Sequence, residues 1–373
     1  MDILNTKRKR IFGLLVATIG CLFFNSNLNA VAEVDFVTLE ATLEATWGES
    51  LTVTANNLLS NSLSNRMTNV KGCLADPFVY GIYSYTDRKN IVAGYGYKNH
   101  TYGLVLGVDD VWTFANEKYF RLGVALGYVH GKITPSDTLS LTERDSSTTF
   151  DVDLNLYNID NFNYDVYAMR LFGAYESFDD KCLKTNIGVI FGYNYGRDKF
   201  HMNPGDDCLF KSVSSGISLG VEFIKNLYAY KGYQFGLWLQ ENYGHTFQYM
   251  NLMISDRETQ TNPGYDFFAT IIGFNMEKET FERADKKLTL SLKAGWEYRV
   301  IQSFNTNIVI VGIPMSEYNQ YAISRHPVRN AAVVSFKALQ KLSDHWDIVG
   351  SYSARFSKDL LAHNISCGAE YSF

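Results

Sequence analysis

Along most of this chain apolar and polar residues alternate, the pattern of a strand with one face in oil and the other in water. In 288–300, Leu288, Leu290, Leu292, Ala294, Trp296, Tyr298 and Val300 fall on one face, and Thr289, Ser291, Lys293, Gly295, Glu297 and Arg299 on the other. The split repeats at 119–130, where Phe120, Leu122, Val124, Leu126 and Tyr128 oppose Arg121, Gly123, Ala125, Gly127 and Val129. It repeats again at 186–195 and at 346–357, the latter setting Trp346, Ile348, Tyr352 and Phe356 against Asp347, Ser351, Ser353 and Arg355. Carried along the chain, the pattern predicts strands near 77–86, 91–112, 118–133, 162–178, 183–199, 212–227, 231–248, 264–278, 286–302, 327–341, 345–357 and 362–373.

That is an even number, twelve, as an antiparallel barrel requires. The connections fall into tight ones at 113–117, 179–182, 228–230 and 342–344, an intermediate one at 279–285, and long ones at 134–161, 200–211, 249–263 and 303–326. Short turns at one end and long loops at the other are the form of an outer-membrane barrel. The expected fold class is therefore all-β: a closed antiparallel transmembrane β-barrel of about twelve strands. A soluble sandwich or lipocalin-like barrel alternates too, and two features weigh against it. The polar face carries full charges, Arg121, Lys293, Glu297, Arg299, Arg355 and Glu370, and aromatics crowd the strand ends, as at Tyr95, Tyr97, Trp112, Tyr119, Tyr193, Tyr195, Trp346 and Tyr371, where interfacial girdles belong.

The N-terminus adds an export address. Lys7-Arg8-Lys9-Arg10 precedes an apolar run from Ile11 to Phe24 and a small-residue stretch ending Ala30-Val31-Ala32, the three parts of a signal peptide. Cleavage is expected between Ala32 and Glu33. The apolar run is shorter than the roughly 20 residues of a spanning helix, and no other run reaches that length, so membrane residence of the mature chain falls to strands. Without the leader the chain holds 30 bases against 38 acids, an acidic balance that argues against nucleic acid as a partner. Cys21 lies in the leader; Cys73, Cys182, Cys208 and Cys367 show no C-x-x-C and no zinc spacing, so no metal and no cofactor is expected.

The last strand closes on an alternating run, Ile365, Cys367, Ala369, Tyr371 and Phe373, with small or polar residues between. It resembles the C-terminal signal that outer-membrane barrels present to the barrel-assembly machinery. Partners implied are outer-membrane lipid, that machinery and the secretion translocon during biogenesis, with the barrel acting as a monomer in the envelope of a Gram-negative-type cell.

Three stretches carry a more specific resemblance: Leu63-Ser64-Asn65-Arg66-Met67 ahead of the barrel, Thr101 to Asp109 with Gly103, Gly107 and Asp109, and Phe120 to Tyr128 with Leu122-Gly123-Val124. From about Asn65 onward the chain resembles the autotransporter β-domain family. The resemblance implies a twelve-stranded barrel with a helix threaded through its lumen, serving to bring an attached passenger to the cell surface. The residues allow such a helix on their own: Leu59, Leu63, Met67 and Val70 recur at helical spacing, Arg66 sits beside them, and Gly72 is placed as a stop. The division expected is signal peptide 1–32, linker and lumenal helix 33–72, and barrel 73–373. Residues 33–58, with the near-repeat Thr38 to Thr46, are too few for a passenger domain. Some family members cut themselves at an Asn-Asn peptide; the corresponding candidates here are Asn56-Asn57 and Asn61-Ser62.

No catalytic residue is expected. His100, His130, His201, His245, His326, His345 and His363 are scattered, no G-x-S-x-G or H-E-x-x-H occurs, and of the acid pairs Asp109-Asp110 falls at a strand end, Asp179-Asp180 in a turn and only Asp206-Asp207 in a long loop. The reading is a non-enzymatic anchor or translocator. The alternative is a porin-like channel or a surface ligand-binding barrel, with Lys293, Glu297, Arg299, Arg355 and Glu370 as a charged constriction.

Overall fold

The computed structural model describes residues 49–67, 76–92, 95–115, 117–135, 162–201, 208–254, 257–261, 264–283, 286–305, 308–310 and 328–372. These fall within a single compact unit. The expected leader, with Ala32 and Glu33, lies outside the described residues, as do Val70, Gly72 and Phe373.

Alternating sequence becomes strand at each of the twelve expected places. In chain order the strands are β1 (Asp76–Val92), β2 (Tyr95–Phe114), β3 (Lys118–Pro135), β4 (Phe162–Phe178), β5 (Lys184–His201), β6 (Cys208–Tyr230), β7 (Tyr233–Ile254), β8 (Arg257–Thr261), β9 (Gly264–Arg283), β10 (Lys286–Asn305), β11 (Ile308–Ile310), β12 (Asn330–Lys341), β13 (Trp346–Phe356) and β14 (Leu360–Tyr371). Twelve long strands pair antiparallel in a ring; β8 and β11 are short additions that extend the sheet from β7. The ring closes where β1 meets β14, with Phe78 opposite Glu370 and Arg88 opposite Leu360. Closure pairs the strands that would otherwise be edges, the one way a sheet can stand in a bilayer.

The faces are inverted relative to a soluble protein. Leu104, Leu106, Leu122, Leu126, Leu171, Phe191, Leu237, Ile272 and Phe274 are exposed on the outside, while Arg88, Arg121, Arg170, Glu222, Glu297, Arg299 and Glu370 are buried within. Buried charge together with an exposed apolar band is the informative combination. The alternation read at 119–130, 186–195, 288–299 and 346–357 has its large apolar residues outward, as at Leu122, Phe191, Trp296 and Tyr352. In the last strand Ile365 and Cys367 are exposed on that outer face, and Ala369 and Tyr371 share it.

The two ends differ, though less simply than the loop lengths imply. At the end bearing the start of β1 and the end of β14, connections are tight. Lys231 and Gly232, both with positive φ (49° and 80°), make a two-residue hairpin whose twist matches its strands. At the β4–β5 turn the Asp179 carboxylate accepts the backbone N–H groups of Lys181 (3.0 Å) and Leu183 (2.8 Å). The β9–β10 connection, expected to be intermediate, is tight as well, because β9 runs on to Arg283. At the opposite end the connections around 136–161, 202–207 and 306–329 are long, but β1–β2 and β13–β14 are joined there by short ones. The rim at that end is uneven for a physical reason. An inclined strand needs only about 9–11 residues to cross the hydrocarbon layer. Strand β6 has 23 residues and β7 has 22, so both project past it, whereas β12, β13 and β14 have 12, 11 and 12 and barely cross.

Candidate functional site

The interior is occupied. A π-helical turn, Ser50–Ala55, leads into an α-helix, α1 (Asn56–Met67), so residues 49–67 make a rod of about 27 Å, close to the thickness of the hydrocarbon layer. The helix is polar on most sides, NNLLSNSLSNRM, because a wall surrounds it: each face meets a different set of strands. Its apolar residues Leu58, Leu59, Leu63 and Met67 are each 2% exposed or less. Close approach depends on glycines of the inner wall. A Cβ on Gly127 would stand 2.7 Å from Leu59 Cδ2, and one on Gly188 would stand 3.0 Å from Met67 Cε.

Polar contacts fix the helix in three layers. At the turn end Arg66 donates through Nε to Asp109 Oδ2 (2.6 Å) and through Nη2 to Asp109 Oδ1 (3.0 Å), while Nη1 reaches Glu370. Arg121 holds the same Asp109 from the other side at 3.0 Å, Tyr80 donates to Glu370, and Phe78 lies under the Arg66 guanidinium at 5.4 Å. In the middle Ser64 donates to Glu222 (2.7 Å), which also takes Trp238 Nε1 (2.9 Å) and Lys293; Asn61 donates to Ser353 (3.1 Å) and Arg170 to the Asn56 carboxamide oxygen (2.8 Å). At the loop end Glu49 pairs with Arg88 (3.3 Å) and Arg299 (3.8 Å), and Glu297 bridges Arg299 (2.7 Å) and Arg355 (2.8 Å). All these layers lie on inner-face parity. Val53 packs on the inner-face residues Tyr265, Phe267 and Ala269 near the same end.

Of the residues singled out from sequence, Leu59, Leu63, Arg66 and Met67 are thus brought together with the wall, while Ile365, Cys367, Ala369 and Tyr371 face away from it. The charges expected to line a constriction are paired: Lys293 with Glu222, Glu297 with two arginines, Glu370 with Arg66. Asp109-Asp110 is not an acid pair in space, since successive strand residues take opposite faces and only Asp109 points in. Glu49 joins the site with no signal in the alternation, and Asp76, Tyr80 and Arg88 join it from β1. Their signal was parity: Asp76, Tyr80, Ser84 and Arg88 all fall on the even positions of β1, a face masked by Phe78 and Ile82.

Three cavities adjoin along the lumen: one of about 250 Å³ toward the turn end, lined from Tyr119, Glu176, Lys184 and Glu277; one of about 40 Å³ beside the helix at Leu58, Asn61 and Ser62, sharing Ser291 and Lys337 with the first; and one of about 20 Å³ at Glu49 and Val53, sharing Arg355 and Asn364 with the second.

An apolar exterior, a charged interior, a closed ring and a threaded helix define an outer-membrane-type β-barrel with an occupied lumen. Among solved structures the fold is similar to the translocator domain of the autotransporter NalP from Neisseria meningitidis, with a TM-score of 0.54 and 12% identity over 87% of this chain and 99% of that one. It is similar also to the transport unit of the autotransporter AIDA-I from Escherichia coli, with a TM-score of 0.52 and 11% identity over 85% of this chain and 98% of that one. No family model and no curated protein sequence matches the chain.

Proposed function

We propose that this protein is a non-enzymatic anchor and translocator of the outer membrane, inserted by the barrel-assembly machinery and working as a monomer without nucleic acid. One observation carries the reading: the rod runs from the loop end, where Glu49 meets Arg88 and Arg299, to the turn end, where Arg66 meets Asp109 and Glu370. Chain that precedes Glu49 is therefore delivered to the loop side, the cell surface in barrels of this form. The described histidines with acidic partners support a non-catalytic role. His130 with Asp165 (2.9 Å) and His245 with Asp266 (2.6 Å) sit on the outer wall, among lipid-facing side chains rather than around a cleft.

An epitope placed at residues 40–46 is expected to be reached by antibody on intact cells, together with protease cuts in 136–161. Labelling only after the outer membrane is permeabilised would refute the orientation. The adjoining cavities favour a second reading, a narrow water path beside the helix. Planar-bilayer conductance decides between them: the anchor reading expects a small conductance that rises several-fold when residues 33–67 are removed, and a large conductance in the full chain makes the barrel a channel.

A further inference from the structure

The outer wall changes chemistry in steps toward the loop end of β1–β5. Successive outward residues on a strand lie two apart, about 7 Å, so the paired registers define rows around the barrel. The lowest row is oil: Leu106, Leu126 and Met169 opposite one another. The next is mostly aromatic, Leu104, Tyr128, Tyr167 and Tyr195. Above it one row crosses seven strands from β13 to β5: Tyr352, Ile365, Tyr83, Tyr102, His130, Asp165 and Arg197. The row above that reads His363, Tyr85, His100 and Lys132, and Lys98 stands one step further, opposite Asp87.

This face is organised rather than scattered. His363 bonds Tyr352 (2.7 Å) and stacks on Tyr85; His100 bonds Tyr83 (3.0 Å); His130 and Tyr128 both bond Asp165 (2.9 and 2.7 Å); Arg197 lies over the Tyr167 ring at 5.8 Å. In each of these imidazole contacts the bond is made by Nδ1. Lys98, His100, Lys132 and Arg197 are exposed. Across the barrel the outer wall of β7 and β9 repeats the His–Asp pair, His245 with Asp266, and has Glu241 accepting from Thr270 (2.7 Å), but residues 241–249 and 264–270 include no lysine or arginine.

We propose that the loop-end outer face of β1–β5, built on Lys98, His100, His130, Lys132 and Arg197, binds the phosphate of a lipid headgroup in the loop-side leaflet. Charge complementarity and height are the argument. Ammonium, guanidinium and imidazole donors gather one to three steps toward the loop end from the tyrosine row, beyond the aromatic belt that marks a bilayer interface. Aromatic rings below offer a platform for the acyl chains and sugar or glycerol of the same molecule. Both faces carry acids, Asp87 and Asp165 on one and Glu241 and Asp266 on the other, but the lysines and arginine that complement a phosphate stand on β2, β3 and β5, so the contact is one-sided. The inference rests on the outer-membrane reading above.

The test uses the full chain refolded in neutral detergent, with folding confirmed beforehand by the faster migration of unheated protein on a denaturing gel. Native mass spectrometry then titrates a diphosphorylated glycolipid, the same lipid stripped of phosphate, and inorganic phosphate. The expected result is a complex with the phosphorylated lipid and at least tenfold weaker binding of the other two. Lys98→Gln/Lys132→Gln/Arg197→Gln is expected to weaken the complex by on the order of a hundredfold, at roughly fivefold per cation, while Lys118→Gln/Lys231→Gln at the opposite boundary leaves it unchanged. Equal binding of the stripped lipid, equal binding of inorganic phosphate, or full binding by the folded triple variant overturns the proposal. Should that variant not fold, the comparison of the three probes on the native chain decides alone. Absence of the gel shift in the native chain would instead overturn the barrel itself.

Discussion

The two ends of the lumenal rod are held by opposite chemistry. At the turn end the helix brings a cation, Arg66, to acids of the wall, Asp109 and Glu370; at the loop end the rod brings an acid, Glu49, to cations of the wall, Arg88 and Arg299. Both placements also suit the helix macrodipole, which favours negative charge near an N-terminus and positive charge near a C-terminus. An inverted rod would set Arg66 among Arg88, Arg299 and Arg355 and Glu49 among Asp109 and Glu370. The lumen therefore carries a field that selects one direction of threading. The ends also differ in tightness: Arg66 holds Asp109 through two bonds at 2.6 and 3.0 Å, whereas Glu49 stands 3.3 and 3.8 Å from its arginines.

The strongest way to break this comparison is to exchange the charges. Glu49→Arg combined with Arg66→Glu puts like charges together at both ends in a buried setting. The expected cost exceeds the roughly 3–5 kcal/mol of removing one partner from a buried pair, which is more than the rod's remaining contacts can offset. The barrel should still close, but with the rod expelled, so that bilayer conductance rises to that of the form lacking residues 33–67. A double variant that conducts like the native chain would show that shape, not charge, sets the direction.

Single changes sharpen the contrast between ends. Arg66→Met leaves Asp109 and Glu370 buried with less compensation and should cost about 3–5 kcal/mol. Glu49→Gln keeps a hydrogen-bonding group at looser distances and should cost roughly 1–3 kcal/mol. Urea midpoints read from the heat-modifiable band check the order. If Glu49→Gln is the more damaging, the latch is at the surface end.

How much of this was legible beforehand follows from what each signal measures. Strand periodicity sees burial on one face, so the run from Leu288 to Val300 and the closing strand from Ile365 declared themselves. The first strand was weak because its inner face holds Phe78, Tyr80 and Ile82, all buried, with Phe78 under the Arg66 guanidinium and against Tyr80. The helix itself was legible as spacing, Leu59, Leu63 and Met67, with Arg66 as the cation beside them. Its partners were not, because Asp109 and Glu370 lie 43 and 304 residues away and meet it only once the ring has closed. Loop lengths failed at β9–β10 because Phe281 and Arg283 still pair with β10 although the sequence there reads as polar turn.

A smaller effect tests the packing between the ends. Gly127 faces Leu59 across the lumen, and a methyl there would meet Leu59 Cδ2 at 2.7 Å but Ala168 Cβ only at 3.5 Å. The obstacle is the tip of a flexible side chain, so Gly127→Ala should cost about 1 kcal/mol, the low end of overpacking. Leu59→Val in the same chain should return most of it. A cost that persists in the double variant would place the strain in the strand rather than against the helix.

The smallest effect belongs to the turn end outside the lumen, where one carboxylate, that of Asp179, adds to the backbone bonds that close the β4–β5 hairpin. The backbone N–H of Leu183 chiefly, and that of Lys181 with the nearby lysine charges, holds Asp179 below its ordinary value of 3.8. A carboxylate depressed on folding stabilises the fold above its unfolded value, and the contribution is lost as pH falls through the folded one. Native chain and Asp179→Asn should therefore differ slightly and by a constant amount at pH 6 and pH 7, since both lie above that titration, and the difference should shrink below about pH 4. Full exposure of this carboxylate to solvent keeps the effect small. No comparable carboxylate cap is described at the β13–β14 turn of the loop end, where Asp359 takes part through its backbone, bonding Lys89, Arg88 and Ser357. A difference between native chain and Asp179→Asn that stays undiminished below about pH 4 would show that the charge of the carboxylate does not hold the hairpin, and would erase the distinction between the two ends at the level of their turns.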